Sequence, residues 1–187
     1  MISVKEMTAG ISVLDEAELV KISDKLWEIG SLEEIRQEVS PELFYLHVGM
    51  SMIGGWQNEG WWCVICEQAD LVPYIPEALE RLQLSGLKAA FEDIIKLFPD
   101  YTVFKADDST YYDIVNFLQT HWFAVEDKRL QSIPLEKRKE MVAQVRKKLD
   151  VLEDLTGPVF GLDAECGGWK PVIEYISSCQ TEQKTVS

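Results

Sequence analysis

Helix starts and stops follow one another along this chain with little between them. Asp15 with Glu18, and Ser31 with Glu34, each place an acceptor side chain three residues ahead of a carboxylate, the spacing of a capping box. Leu19, Ile22, Leu26 and Ile29 fall on one face of the first helix, which Gly30 ends. Ser40-Pro41 reads as an N-cap with proline at the first helical position, ahead of Phe44, Leu46 and Val48. Pro76 opens a further helix that Ser85-Gly86 closes. Leu87 to Phe98 then turns Ala90, Ile94, Ile95 and Phe98 inward until Pro99 stops it. Asp108 or Ser109 caps a segment carrying Tyr112, Val115, Phe117 and Leu118.

The longest helix is expected from Pro134 to about Leu155. Leu135, Val142, Val145, Leu149 and Leu152 nearly keep a 3-4 spacing, broken at Arg138. That seam is expected to pack on the domain, with pairing against a second subunit as the alternative. Gly157-Pro158 and Gly167-Gly168 read as loops, and Pro171 to Cys179 as a last helix. Only Tyr101-Thr102-Val103-Phe104 has strand character, and one strand makes no sheet. The predicted fold class is therefore all-α. With 187 residues, 47% of them hydrophobic, the chain can close one core that buries roughly 70% of its unfolded surface. We expect a single compact helical domain over residues 1–180, with the long helix at 134–155 and a flexible tail at 181–187.

Charge narrows the function. The chain carries 32 acidic and 18 basic residues, a net of −14, and residues 1–120 hold 21 of the acids but only 8 of the bases. Such a field repels nucleic acid and anionic membranes and attracts basic partners. No run is long and apolar enough to cross a bilayer, and the first twenty residues lack the basic and apolar regions of an export signal. Four cysteines are too few for a disulfide scaffold. A cytoplasmic setting is expected.

Chemistry-bearing motifs are scarce. Trp62-Cys63-Val64-Ile65-Cys66 has the C-x-x-C spacing of a thiol-disulfide site, but no strand precedes it and its spacer is Val-Ile. On a helix, Cys63 and Cys66 share one face with Trp62 close by, and free cysteine behaves as a small buried hydrophobe. A thiol enzyme is thus the weaker reading. Zinc is not expected either, since Cys166 and Cys179 stand thirteen positions apart and His47 and His121 form no metal-binding pair. Both histidines lie in apolar settings that suit a satisfied core imidazole. Phosphate loops and nucleophile elbows are missing. Glu59, between Asn58 and Gly60 among three tryptophans, is the one carboxylate whose surroundings could raise its pKa; it could equally cap a helix or face a partner. No enzyme activity, cofactor or metal is expected.

Asn58-Glu59-Gly60-Trp61, the run Ile75 to Leu82, Gly86 to Ala90, Leu97-Phe98-Pro99 and the acidic segment Asp107 to Tyr112 together resemble a bacterial domain-of-unknown-function family that includes an acidic DNA-mimic protein. The resemblance covers about residues 45–120. Glu59 stands where that family has the first glycine of its motif and Cys63 where it has glutamine, so Asn58, Gly60 and Trp61 alone carry it here. The resemblance implies an all-α fold, dimerisation, no enzyme activity and, for at least one member, binding of a DNA-binding protein in place of DNA.

The residues offer carboxylates at matching intervals. Side chains at i and i+3 or i+4 on a helix stand about 5–6 Å apart, comparable to neighbouring phosphates along one strand. Asp15 with Glu18, Glu34 with Glu38, Glu38 with Glu42 and Glu77 with Glu80 meet that spacing, and Glu92-Asp93 and Asp107-Asp108 are denser spots. Asp15, Glu18, Glu34, Glu38, Glu59, Glu77 and Glu80 are therefore the candidate partner-binding residues. The expected function is a non-enzymatic acidic protein that binds a basic protein, as a DNA mimic on a DNA-binding partner. An immunity or antitoxin-like protein, whose acidic face and exposed tryptophans cover a basic toxin, is the alternative.

Overall fold

The computed structural model describes residues 1–119 and 128–182. Among them are ten α-helices: α1 (Val4–Met7), α2 (Glu16–Trp27), α3 (Leu32–Glu38), α4 (Pro41–Cys66), α5 (Ile75–Arg81), α6 (Ser85–Ile95), α7 (Asp108–Leu118), α8 (Lys128–Gln131), α9 (Leu135–Phe160) and α10 (Lys170–Glu182). The described residues contain no strand; one bridge, between Ile2 and Val39, ties the N-terminus to the end of α3. The fold is all-α, with its long helix near the C-terminus.

Local chemistry sets most of the boundaries. Ser31 accepts from the Glu34 N–H, and the Glu34 carboxylate accepts from the Ser31 N–H at 2.7 Å, a complete capping box. Asp15 accepts from the Glu18 N–H at 3.0 Å, but the Glu18 carboxylate turns to Lys21 instead, so only half of the box forms there. Ser40 caps α4 with Pro41 at its first position.

Several boundaries differ from expectation. Ser85-Gly86 opens α6 and does not close α5. The closure is a Schellman turn: the Leu84 N–H donates to the Leu79 carbonyl and the Gln83 N–H to the Glu80 carbonyl, with Gln83 at φ 60°. The cap of α7 is Asp107, whose carboxylate accepts from the Thr110 N–H, and neither Asp108 nor Ser109. Tyr101 to Phe104 is a loop, tied down by the Thr110 hydroxyl donating to the Val103 carbonyl and by Phe104 packed edge-on against Phe98.

The long helix α9 runs five residues past the expected end at Leu155, through Gly157 and Pro158 to Phe160. Proline is tolerated because Asp154, whose carbonyl loses its donor, and Pro158 itself are both exposed, so water can serve the freed carbonyl. The last helix extends through Thr181 and Glu182, which were expected in the tail; residues 183–187, and His121, lie outside the described residues.

Helix α4 is the hub. Helices α2, α3, α5, α7, α9 and α10 all pack on it, and α6 lies against α5 and α9. Fifteen α4 residues are buried, from Leu43 to Cys66. One contiguous cluster of buried apolar side chains reaches from Val4 to Ile176, each Leu or Ile in it contributing about 1.5–3 kcal/mol of transfer free energy. Of the α9 seam, Val142, Val145 and Leu152 are buried within the chain, Leu149 is half-buried and Leu135 is exposed. Among the described residues no helix is long and apolar enough to cross a membrane.

Candidate functional site

Asn58 to Trp61 marks a break inside α4. Glu59 leaves the helical region (φ −142°, ψ 21°), and Gly60 takes φ 71°, ψ −168°, a conformation open essentially to glycine alone. The break frees the Trp61 N–H from the helical ladder. Glu153 of α9 accepts it at 2.8 Å, and its other oxygen accepts the Trp56 indole N–H at 2.6 Å. The Trp61 ring is fully buried against Phe91, and its indole N–H donates to the Thr156 hydroxyl at 2.9 Å. Gln57 donates to the carbonyls of Phe160 and Gly167. Gly60 and Trp61 thus form a clasp between α4 and α9. Asn58 and Glu59 face solvent, so Glu59 is not buried among the tryptophans, and it caps no helix.

The C-x-x-C stretch follows on the re-formed helix. Cys63 and Cys66 are both buried and free. Burial pushes the Cys66 thiol up to about 12, and burial, together with the nearby Glu67 carboxylate, raises that of Cys63. Thiol catalysis needs the opposite shift, because the thiolate is the nucleophile. His47 is fully buried, as its apolar setting suggested, with its ring 4.6 Å from that of Trp27. It is not satisfied, however: neither ring nitrogen has a hydrogen-bond partner among the described residues, and desolvation lowers its pKa to about 4. Among the described residues no group of three or more His, Cys, Asp or Glu side chains could hold a metal.

The seven nominated carboxylates are spread over four helices. Most already serve the chain itself. Asp15 and Glu34 are caps, and Glu18, Glu77 and Glu80 pair with Lys21, Arg81 and Lys88. Glu38 and Glu59 are exposed and form no ion pair within the described residues.

A different set of acids is gathered by the fold. Glu67 and Asp70, just past α4, and Asp107 and Asp108, at the start of α7, line one cavity of about 340 Å³ together with Lys105 and Tyr111. Lys105 pairs with Asp107, and it joins the Ser109 hydroxyl and the Thr110 N–H in holding that carboxyl well below the usual carboxylate range. Glu67, Asp70 and Asp108 form no ion pair within the described residues. Tyr111 is partly exposed in this lining, and its ring lies 5.7 Å from that of the exposed Tyr112. Asp107-Asp108 was visible in the sequence as a dense acidic spot. Glu67 and Asp70, at i and i+3, carry the same spacing signal as the helical acid pairs.

Exposed tryptophan is less plentiful than the sequence suggests. Trp61 is buried, Trp56 half-buried, and Trp27 and Trp62 are the indoles with open surface among residues 1–119. Compared with protein-family models, with curated proteins and with solved structures, the chain matches none.

Proposed function

We propose that this chain is a non-enzymatic protein-binding protein whose acidic surface occupies a basic surface on its partner, of the kind that otherwise holds DNA phosphates. The observation that carries this reading is the cavity where Glu67, Asp70, Asp107 and Asp108 face one lysine. Three of those carboxylates have no cation partner among the described residues, so a partner's Arg or Lys can pair with them without displacing an internal bridge there. Tyr111 in its lining and the neighbouring Tyr112 supply flat amphipathic area of the kind enriched at binding hot spots. The net charge of −14 would steer a basic partner over distance.

The nominated acids on α2, α3 and α5 then contribute field more than contact, since most are engaged in caps and surface pairs. A DNA-binding partner, a cytoplasmic setting and a dimer belong to this reading as its expected context. An immunity-like role against a basic toxin would use the same surface.

The test compares the wild type with Glu67→Gln/Asp70→Asn/Asp108→Asn as immobilised bait for bacterial lysate. The proposal expects a basic protein retained by the wild type, released as salt rises, and at least tenfold weaker on the triple variant. Equal retention by both baits would rule out this cavity as the contact.

A further inference from the structure

A groove between α2 and the middle of α4 carries exposed apolar surface. It encloses about 300 Å³, and its walls include Leu19, Val20, Trp27, Met50 and Gly54. Leu19 and Met50 are buried, whereas Val20 and Trp27 are 49% and 46% exposed. Gly54 leaves one wall bare: it is exposed, and a Cβ built there would meet nothing within 4 Å. The Trp27 indole is held in place, because the buried His47 ring packs edge-on against it at 4.6 Å. A fixed, half-open tryptophan beside bare backbone lets a partner helix approach closely at little ordering cost.

The exposed α2 residues of the groove follow a helical pattern. Val20 and Trp27 stand two turns apart, about 10 Å along the axis. Asp24 lies between them, one turn from each, and it too lines the groove. Its carboxylate forms no ion pair within the described residues. The stripe therefore reads apolar, acidic, apolar. Its complement is a helix whose own stripe reads apolar, basic, apolar, at i, i+3 or i+4, and i+7. An uncharged stripe would cover Asp24 without giving it a cation, and an acidic one would set like charges together on a chain of net charge −14.

We propose that this groove docks an amphipathic helix of a partner protein. Apolar residues two turns apart on that helix seat beside Val20 and Trp27, and an arginine or lysine between them pairs with Asp24. The groove shares no residue with the acid-lined cavity, so the inference stands independently of the function proposed for that cavity.

The probe is a helical peptide of roughly fifteen residues built on alanine and glutamine, with leucines at i and i+7 and arginines at i+3 and i+4. The readout is the nitrogen-15 NMR spectrum of the full chain, followed at the Trp27 indole. The peptide is expected to shift that signal saturably, with Kd on the order of 0.1 mM for so small a contact. Peptides with glutamate in place of the arginines, or glutamine in place of the leucines, should each bind at least tenfold more weakly. Asp24→Asn should weaken the arginine peptide about threefold and narrow its lead over the glutamate peptide. Gly54→Leu fills the groove and should abolish binding while the rest of the spectrum keeps its dispersion, since the new Cβ has open space. Glu67→Gln/Asp70→Asn/Asp108→Asn should bind the peptide as the wild type does, which separates this groove from the acid-lined cavity. No saturable shift, equal binding of the three peptides, unchanged binding in Asp24→Asn or Gly54→Leu, or loss of the Trp27 shift in the triple variant would overturn the proposal. A Trp27 shift that grows with the protein's own concentration, without peptide, would give the groove to a second copy and overturn it equally.

Discussion

Helices α4 and α9 have the same length, 26 residues, and opposite relations to solvent. Fifteen residues of α4 are buried, against five of α9. The buried helix is the one whose backbone breaks, at Glu59-Gly60, while the exposed one continues through a proline. Burial makes the difference. A buried N–H freed from the ladder must find a replacement partner, and Glu153 of α9 supplies it for Trp61; a broken ladder at the surface finds water. The polar groups of the exposed helix therefore complete the interior one.

Removing the buried half of the clasp should do most damage. Trp61→Ala deletes a fully buried ring and the hydrogen bond its indole gives the Thr156 hydroxyl, so urea unfolding should show a loss of about 3–5 kcal/mol. Next comes the backbone of the break. Gly60→Ala forces a Cβ into a φ of 71° and to 2.8 Å from the Glu153 carboxylate, and should cost about 2–4 kcal/mol. The matching change in the exposed helix should be mild. Gly157→Ala meets no residue but its own neighbours within 4 Å, and the helix propensity gained is opposed by the new Cβ against the Pro158 ring, so stability should change by less than about 1 kcal/mol.

His47, also on α4, adds a pH dependence. Its folded pKa of about 4 lies below the ordinary 6.5, so between those values the unfolded chain takes up the proton first. Its contribution to stability is therefore intact above pH 6.5, falls as the pH drops to about 4, and amounts to about 3 kcal/mol at most. His47→Phe should remove that part of the slope, because neither nitrogen has a partner to lose among the described residues. Denaturant midpoints for both proteins across this pH range check it, and identical slopes would show that His47 is not the group responsible.

The same contrast explains what the sequence could disclose. Ser31–Glu34 and Ser40-Pro41 were legible because a cap is settled within four residues. The amphipathic seam of α9 was legible from Val142, Val145 and Leu152, but its end was not, since Gly157-Pro158 breaks helices unless water serves the freed carbonyl. The α4 break was hidden, because its partner Glu153 lies 92 residues beyond Trp61. The acid-lined cavity was half visible for the same reason. Asp107-Asp108 stands out locally, while its meeting with Glu67 and Asp70 is a tertiary event. Conversely, Asp15 and Glu34 read as partner-facing acids in the sequence, yet each is a cap.

The central functional claim is that the acidic surface takes the place of DNA on a basic partner. The direct measurement is the affinity of a captured partner for this protein, by calorimetry, with and without saturating duplex DNA. Mutually exclusive binding is the expected result, with the apparent affinity falling in proportion to the DNA present. A partner that held this protein and the duplex together, with neither affinity reduced, would contradict it.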